Sequence, residues 1–234
     1  INDDYYDTIT SAIEAANSQD TILLCKSVVL SDNININKEI SIMPDESLAD
    51  PIIITKTQSG NLIGIGSNNV QIGSKDRVTI ILDGGSFEQD GSVLRTGNQQ
   101  ISVENTILRN NYNKNEGGGI FLGQNGKVSL LNCTIENCKA SGGGGINTRG
   151  GGVGSTHIIL EDVIIRNNTA TNNGGGICNS GTNGHSSVIS SKGLVVENNT
   201  ANNGGGIYVV MKTDLTNAII RKNTARSHGA GVYV

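Results

Sequence analysis

The sequence predicts an all-β chain wound as a parallel β-helix with a short capping helix at its N-terminus. Three observations carry this. One phrase recurs five times between Ile101 and Val234: an apolar run, an Asn-rich corner, then a Gly-rich corner leading into one more short strand. The aliphatic residue after the glycines falls at Ile120, Ile146, Ile177, Ile207 and Val232, a period of 26, 31, 30 and 25 residues, which makes a solenoid, propeller or array the first hypothesis. No unit holds the helical stripe that tetratricopeptide, ankyrin or HEAT repeats need, and none reaches the roughly 40 residues of a propeller blade. About three strand-sized pieces per unit, stacked at about 4.8 Å, make a coil of parallel strands.

From the N-terminus, TITSAIEAAN (Thr8 to Asn17) is the one convincing helix: Ile9, Ile13 and Ala16 share a face, and Thr8 or Thr10 can cap its start. A solenoid must hide its end from edge pairing, so this helix is expected to cover the first rung. Residues 1–20 thus read as cap, 21–100 as less regular rungs and 101–234 as regular repeats of a single domain. In the irregular part Ile34, Ile36, Ile40 and Ile42 alternate with polar residues, and PIIIT (51–55), LIGIG (62–66), VQI (70–72) and VTIILDG (78–84) follow as strands. About three rungs before the five give a column 35–40 Å long, as roughly 4.8 Å per rung implies. The unequal periods are accommodated by loops, at 147–157 and 179–187.

Within the repeats, residues 101, 128, 158, 189 and 213 are expected to stack facing inward, followed two residues on by Val103, Leu130, Leu160, Ser191 and Leu215. Leu108, Ile135, Ile165, Val196 and Ile220 form another inward column. Asn111, Cys138, Asn168, Asn199 and Asn223 share a corner position, where stacked amides can bond up and down the column. Arg109, Glu136, Arg166, Glu197 and Arg221 share the position two before it and alternate in sign, so neighbours attract where an all-Arg column would repel. Phe121, Asn147, Cys178, Tyr208 and Tyr233 follow the inward aliphatic residue and should therefore face out. Phe121, Tyr208 and Tyr233 are the candidate binding face for sugar rings or a protein strand.

Composition narrows the function. Thirty-two glycines and 3% aromatics suit a thin prism with aliphatic filling. A net charge of -4 with 17 Lys plus Arg argues against nucleic acid as partner, and no run of 18 apolar residues exists to span a membrane. The chain opens without Met or a signal peptide and stops inside a repeat, which reads as a piece of a longer protein. Asp83, Asp90, Asp162 and Asp214 are the acids with catalytic potential, but Asp162 and Asp214 fall at different repeat positions and Asp83 stands isolated. His157, His185 and His228 lie on loops or corners without metal-ligand spacing. Of the four cysteines, Cys25 and Cys133 read as buried, Cys138 replaces an Asn of the corner column, and none forms a CxxC. No catalytic, metal or cofactor residue is therefore assigned.

GGGI at 117–120, 174–177 and 204–207, GGGGI at 142–146, and NTA at Asn168–Ala170 and Asn199–Ala201 resemble polymorphic outer membrane protein repeats. With the opening ITSAIEAANSQDTI (Ile9 to Ile22), they resemble more broadly the right-handed β-helices of the pectate-lyase-like group. That family's repeat is written GGAI with FxxN; here glycine holds the alanine position, and Ile165, Val196 and Ile220 stand for the phenylalanine. The resemblance implies a right-handed coil and an adhesin-like protein, secreted or on the cell surface, that binds or serves as a stalk. Its partner would be a glycan or protein on a host or neighbouring cell. The alternative it carries is a lyase or hydrolase acting on an acidic polysaccharide, in which case calcium would be the cofactor.

Overall fold

In the computed structural model, which describes residues 4–149, 156–180, 186–210 and 213–234, the chain coils into four parallel sheets. Three of them have eight strands and the remaining, narrow one has six. We number them in the order in which one turn visits them. A turn passes from the first sheet (Lys127–Leu131) to the second (Thr134–Glu136), through a two-residue strand of the narrow third sheet (Lys139–Ala140), to the fourth (Ile146–Thr148). The coil is thus the parallel solenoid that the repeat predicts. The third sheet is an addition: four of its six strands hold only two residues, too short to show a periodicity.

Alternation of side chains fills the interior. Ile34, Ile36, Ile40 and Ile42 are all buried, as are Leu108, Ile135, Ile165 and Val196, and a continuous aliphatic cluster runs from Ile9 to Val209. Leu108, Ile135, Ile165, Val196 and Ile220 pair rung on rung, as expected. The first sheet corrects one expectation. Ile158 pairs with Val188 and Leu160 with Ser190, whereas Glu161 pairs with Lys192. Ser191 is therefore an extra residue in a bulge, so the columns run through Val188 and Ser190, one residue before the expected 189 and 191.

The N-terminal helix spans Ile9–Ala15; the Thr8 side chain accepts from the Ser11 amide at 3.0 Å, and Ile9, Ala12 and Ile13 are buried. It packs on the strand Ile34–Ile36. Its orphan carbonyls converge on one cation: Lys38 Nζ donates to the oxygens of Ile13, Glu14 and Ala16 at 3.1, 2.6 and 2.7 Å.

The Gly-rich corner has two separate causes. Gly174 holds φ +65, a left-handed backbone that L side chains rarely adopt, whereas Gly175 is required by proximity. A Cβ on Gly175 would stand 2.4 Å from the Gly205 oxygen and 2.5 Å from the Thr200 oxygen of the next rung. The glycine columns therefore let successive corners touch backbone to backbone.

Candidate functional site

Two interior or half-buried columns and one outward face hold the residues singled out by sequence. At the corner leaving the second sheet, the Asn168 backbone N–H donates to Asn199 Oδ1 at 2.9 Å and its Nδ2 to the same oxygen at 3.1 Å. Asn199 repeats both bonds to Asn223 Oδ1, at 2.9 and 3.0 Å. Each amide also reaches back one rung, from Asn168 Nδ2 to the Ile135 oxygen and from Asn199 Nδ2 to the Ile165 oxygen. Cys138 has no amide to continue the chain, though its N–H still donates to Asn168 Oδ1. Asn111 turns instead to the Gly118 and Gly91 oxygens, at 2.7 and 3.0 Å.

The charged residues lie on the outer side of the second sheet and pair in twos. Arg166 meets Glu136 at 2.7 Å and Arg221 meets Glu197 at 2.7 Å. Arg109 reaches Asp83 at 2.8 Å. Asp83 is therefore not isolated: it heads the column, and it also accepts from Asn110 Nδ2 and the Gly85 N–H. The signal was present as the paired phrases Ile81-Leu82-Asp83 and Ile107-Leu108-Arg109, but the irregular spacing of the early rungs hid it. The acids are mostly covered and the arginines lie over them in solvent. Glu136→Lys combined with Glu197→Lys takes the acids from Arg166 and Arg221 and sets two lysines among three arginines, while Arg109 keeps Asp83. Melting at about 20 mM salt should fall by the equivalent of about 1–2 kcal/mol, and about 0.5 M salt should restore part of it. A melting temperature unchanged at low ionic strength would show that the column contributes nothing to register.

The outward column of the fourth sheet runs Asn35, Gly64, Arg95, Phe121, Asn147, Cys178, Tyr208, Tyr233. The alignment matches the sequence reading, but the expected exposure does not hold throughout. Phe121, Asn147 and Cys178 are buried, at 7%, 1% and 3% exposure. For Phe121 the cause is non-local: the Arg95 guanidinium lies 4.1 Å over its ring, and the Gly117 corner lies against its Cβ. The accessible aromatic pair is Tyr208 with Tyr233, stacked at 5.1 Å and 4° and bordered by His228 at 5.9 Å. Partial burial, and less strongly Cys178 and Tyr233, push the Tyr208 hydroxyl pKa up. At the other end of the face, Asn35, Asn37, Gly64, Gly66, Arg95 and Thr96 line a shallow groove that sequence reasoning missed. Its signal is the two strand glycines stacked on two asparagines. The parts of the flanking loops at 150–155 and 181–185, with His185, lie outside the described residues.

The remaining acids are occupied separately. Asp162 pairs with Lys192 at 2.9 Å, Asp90 accepts from Asn115 Nδ2 at 3.3 Å, and Asp214 accepts from the Thr216 N–H and hydroxyl. His157 and His228 lie in strands rather than loops. Among the described residues no three His, Cys, Asp or Glu side chains cluster as metal ligands would. Cys133, Cys138 and Cys178 are buried, and burial pushes each thiol up to about 12. Cys25 is exposed, against expectation; it follows the first strand, Thr21–Leu24, rather than pointing in from it. Burial lowers Lys56 to about 8, with its ammonium against the Gly60 oxygen.

Residues 162–180 and 193–210 match the Chlamydia polymorphic membrane protein (Chlamydia_PMP) repeat. Both stretches run from an αL corner, at Asp162 or Gly193, through the Asn column and the glycines to the fourth sheet. No curated protein and no solved structure matches the chain. Among the described residues no helix is long and apolar enough to cross a membrane. The molecule is a parallel β-helix in which these two stretches are similar to that repeat.

Proposed function

We propose that this β-helix, built on repeats similar to those of polymorphic membrane proteins, acts at the cell surface or after secretion as an adhesin-like binding element. Its contact is the outer face of the fourth sheet, and its partner a glycan or protein of a neighbouring or host cell. The observation that supports this most directly is the Tyr208–Tyr233 stack, part-exposed on a protein with seven aromatic residues in all. Two parallel rings with hydroxyls at their tips offer apolar area and hydrogen bonds together at little entropic cost. The Asn35–Arg95 groove lies on the same face and adds donors along its line. The Asn column at the corner leaving the second sheet and the charge column on that sheet's outer side hold rungs in register, and the narrow prism serves as the stalk of this face.

Tyr208→Ser with Tyr233→Ser should leave the far-ultraviolet circular dichroism of the coil unchanged and weaken attachment to cells or arrayed glycans by about tenfold or more. Folded double variant that attaches as well as the parent would move the binding face off this sheet.

A further inference from the structure

The outer side of the second sheet carries two parallel columns. Alongside the charges runs an aliphatic one: Ile53, Ile81, Ile107, Thr134, Ile164, Val195 and Ile219, paired rung on rung. All point away from the core; Ile219, on the last rung, is 53% exposed and the other six are half-buried. The outward columns of the first sheet are more polar by comparison, with Gln71, Ser102, Ser129 and Ile159 in one and Glu104, Leu131, Glu161 and Lys192 in the next. A continuous β-branched stripe, part-exposed along its length on the outer side of this sheet, marks it as an interaction surface.

The charges beside the stripe identify the occupant. From Asp83 to Arg221 the column reads acid, base, acid, base, acid, base. An even number of alternating charges is its own complement when reversed. Two copies can face each other across a two-fold axis lying in the interface parallel to the strands, with coil axes antiparallel. The axis then passes between the rungs of Glu136 and Arg166. Each acid stays paired within its own chain beneath an arginine, and across the two-fold the part-exposed Arg166 of one copy is set over the Glu136 rung of the other, Arg109 over the Glu197 rung and Arg221 over the Asp83 rung. The same operation sets aliphatic column on aliphatic column: Thr134 on Ile164, Ile107 on Val195, Ile81 on Ile219. A two-fold along the coil axis instead pairs like rungs, setting Glu136 against Glu136 or the stripe against charges. We propose that the second sheet is an isologous, antiparallel self-association surface, and that its partner is a second copy of this chain.

Six rungs at about 4.8 Å and strands of about three residues give a footprint near 25 by 10 Å, well below the roughly 800 Å² per partner of tight complexes. The contact is therefore weak and depends on crowding, as on a surface densely covered with the protein. It is independent of partner binding at the fourth sheet, which lies on another side of the prism.

The test is sedimentation equilibrium of the full chain up to about 1 mM, at about 20 mM and 500 mM salt. A reversible dimer at low salt that dissociates as salt rises is expected. Glu197→Arg with Arg221→Glu exchanges the ion pair within the chain but sets Arg109 against an arginine and Asp83 against a glutamate across the two-fold. With circular dichroism preserved, the dissociation constant should rise about tenfold or more. Ile219→Lys, at an exposed position the monomer tolerates, should also weaken the dimer. A chain that is monomeric at the highest concentration and low salt, or a dimer indifferent to both variants, overturns the proposal.

Discussion

Asn199→Ala is expected to lower the unfolding free energy by about 3–5 kcal/mol, since each buried polar group left without a partner costs roughly 1–3 kcal/mol and a small cavity adds to this. Asn199 is fully buried, and its side chain satisfies two rungs at once. Its oxygen accepts from the Asn168 N–H and Nδ2, while its Nδ2 serves the Ile165 oxygen and Asn223 Oδ1. Alanine keeps the corner backbone but strands the Asn168 backbone N–H, leaves its Nδ2 only the Ile135 oxygen, and removes a partner from Ile165, in a buried place. Denaturant melts of the variant and parent measure the difference directly. Cys138→Asn is the matched control, because it inserts the missing amide: repeating the geometry of Asn168, it would reach back toward the Leu108 oxygen and accept from the Asn111 N–H. Its stability should equal or exceed that of the parent. A loss below about 1 kcal/mol for Asn199→Ala, as for a surface substitution, would mean that the amides are incidental to the corner.

The shared corner position of Asn168, Asn199 and Asn223 was legible in sequence because the amide recurs three residues after an inward aliphatic and before the glycine corner, whereas the turn of Asn111 to the Gly91 and Gly118 oxygens was not. One residue type at one spacing needs no three-dimensional information. The bulge at Ser191 was not, because counting back from Glu161 and Lys192 and counting forward from Ile158 and Val188 disagree by one residue. The serines between offer no apolar mark to locate the insertion. The burial of Phe121 was illegible for another reason. Alternation fixes the direction of a side chain, whereas exposure depends on what neighbouring rungs lay over it, here Arg95 from the rung before. The same limit applied to Asp83, whose partner Arg109 is 26 residues away across a less regular turn. Of the candidate face, sequence identified the column and its aromatic residues, and the contacts of adjacent rungs decided which of them reach solvent.

Between about pH 9 and pH 12 the chain is expected to lose stability, and the loss should trace to thiols. Cys133, Cys138 and Cys178 are each held protonated to about 12 by burial, against an ordinary value of 9.0. Above pH 9 the unfolded chain releases these protons while the folded chain keeps them. The unfolded state then binds fewer protons, and stability falls as pH rises. At pH 10.5 each thiol accounts for about 2 kcal/mol, and the three together about 6 kcal/mol. Tyr208, also raised by burial, acts in the same direction. Lys56 opposes them: its folded value near 8 lies below the ordinary 10.5, so the unfolded chain binds the extra proton between these limits and stability rises there with pH. One amine against three thiols gives a shallow rise near pH 8 and a net fall above about pH 9. Denaturant midpoints under reductant at pH 7.5, 9 and 10.5 resolve the two limbs. Replacing the three buried cysteines with alanine should lower stability at pH 7.5, because each leaves a small void, yet flatten the alkaline fall and expose the Lys56 rise. Profiles of variant and parent that run parallel through pH 10.5 would sink the assignment. A flattened profile would show that these thiols act in the column as small apolar packing groups, not as nucleophiles, since a thiol protonated to pH 12 has almost no thiolate at neutral pH with which to attack.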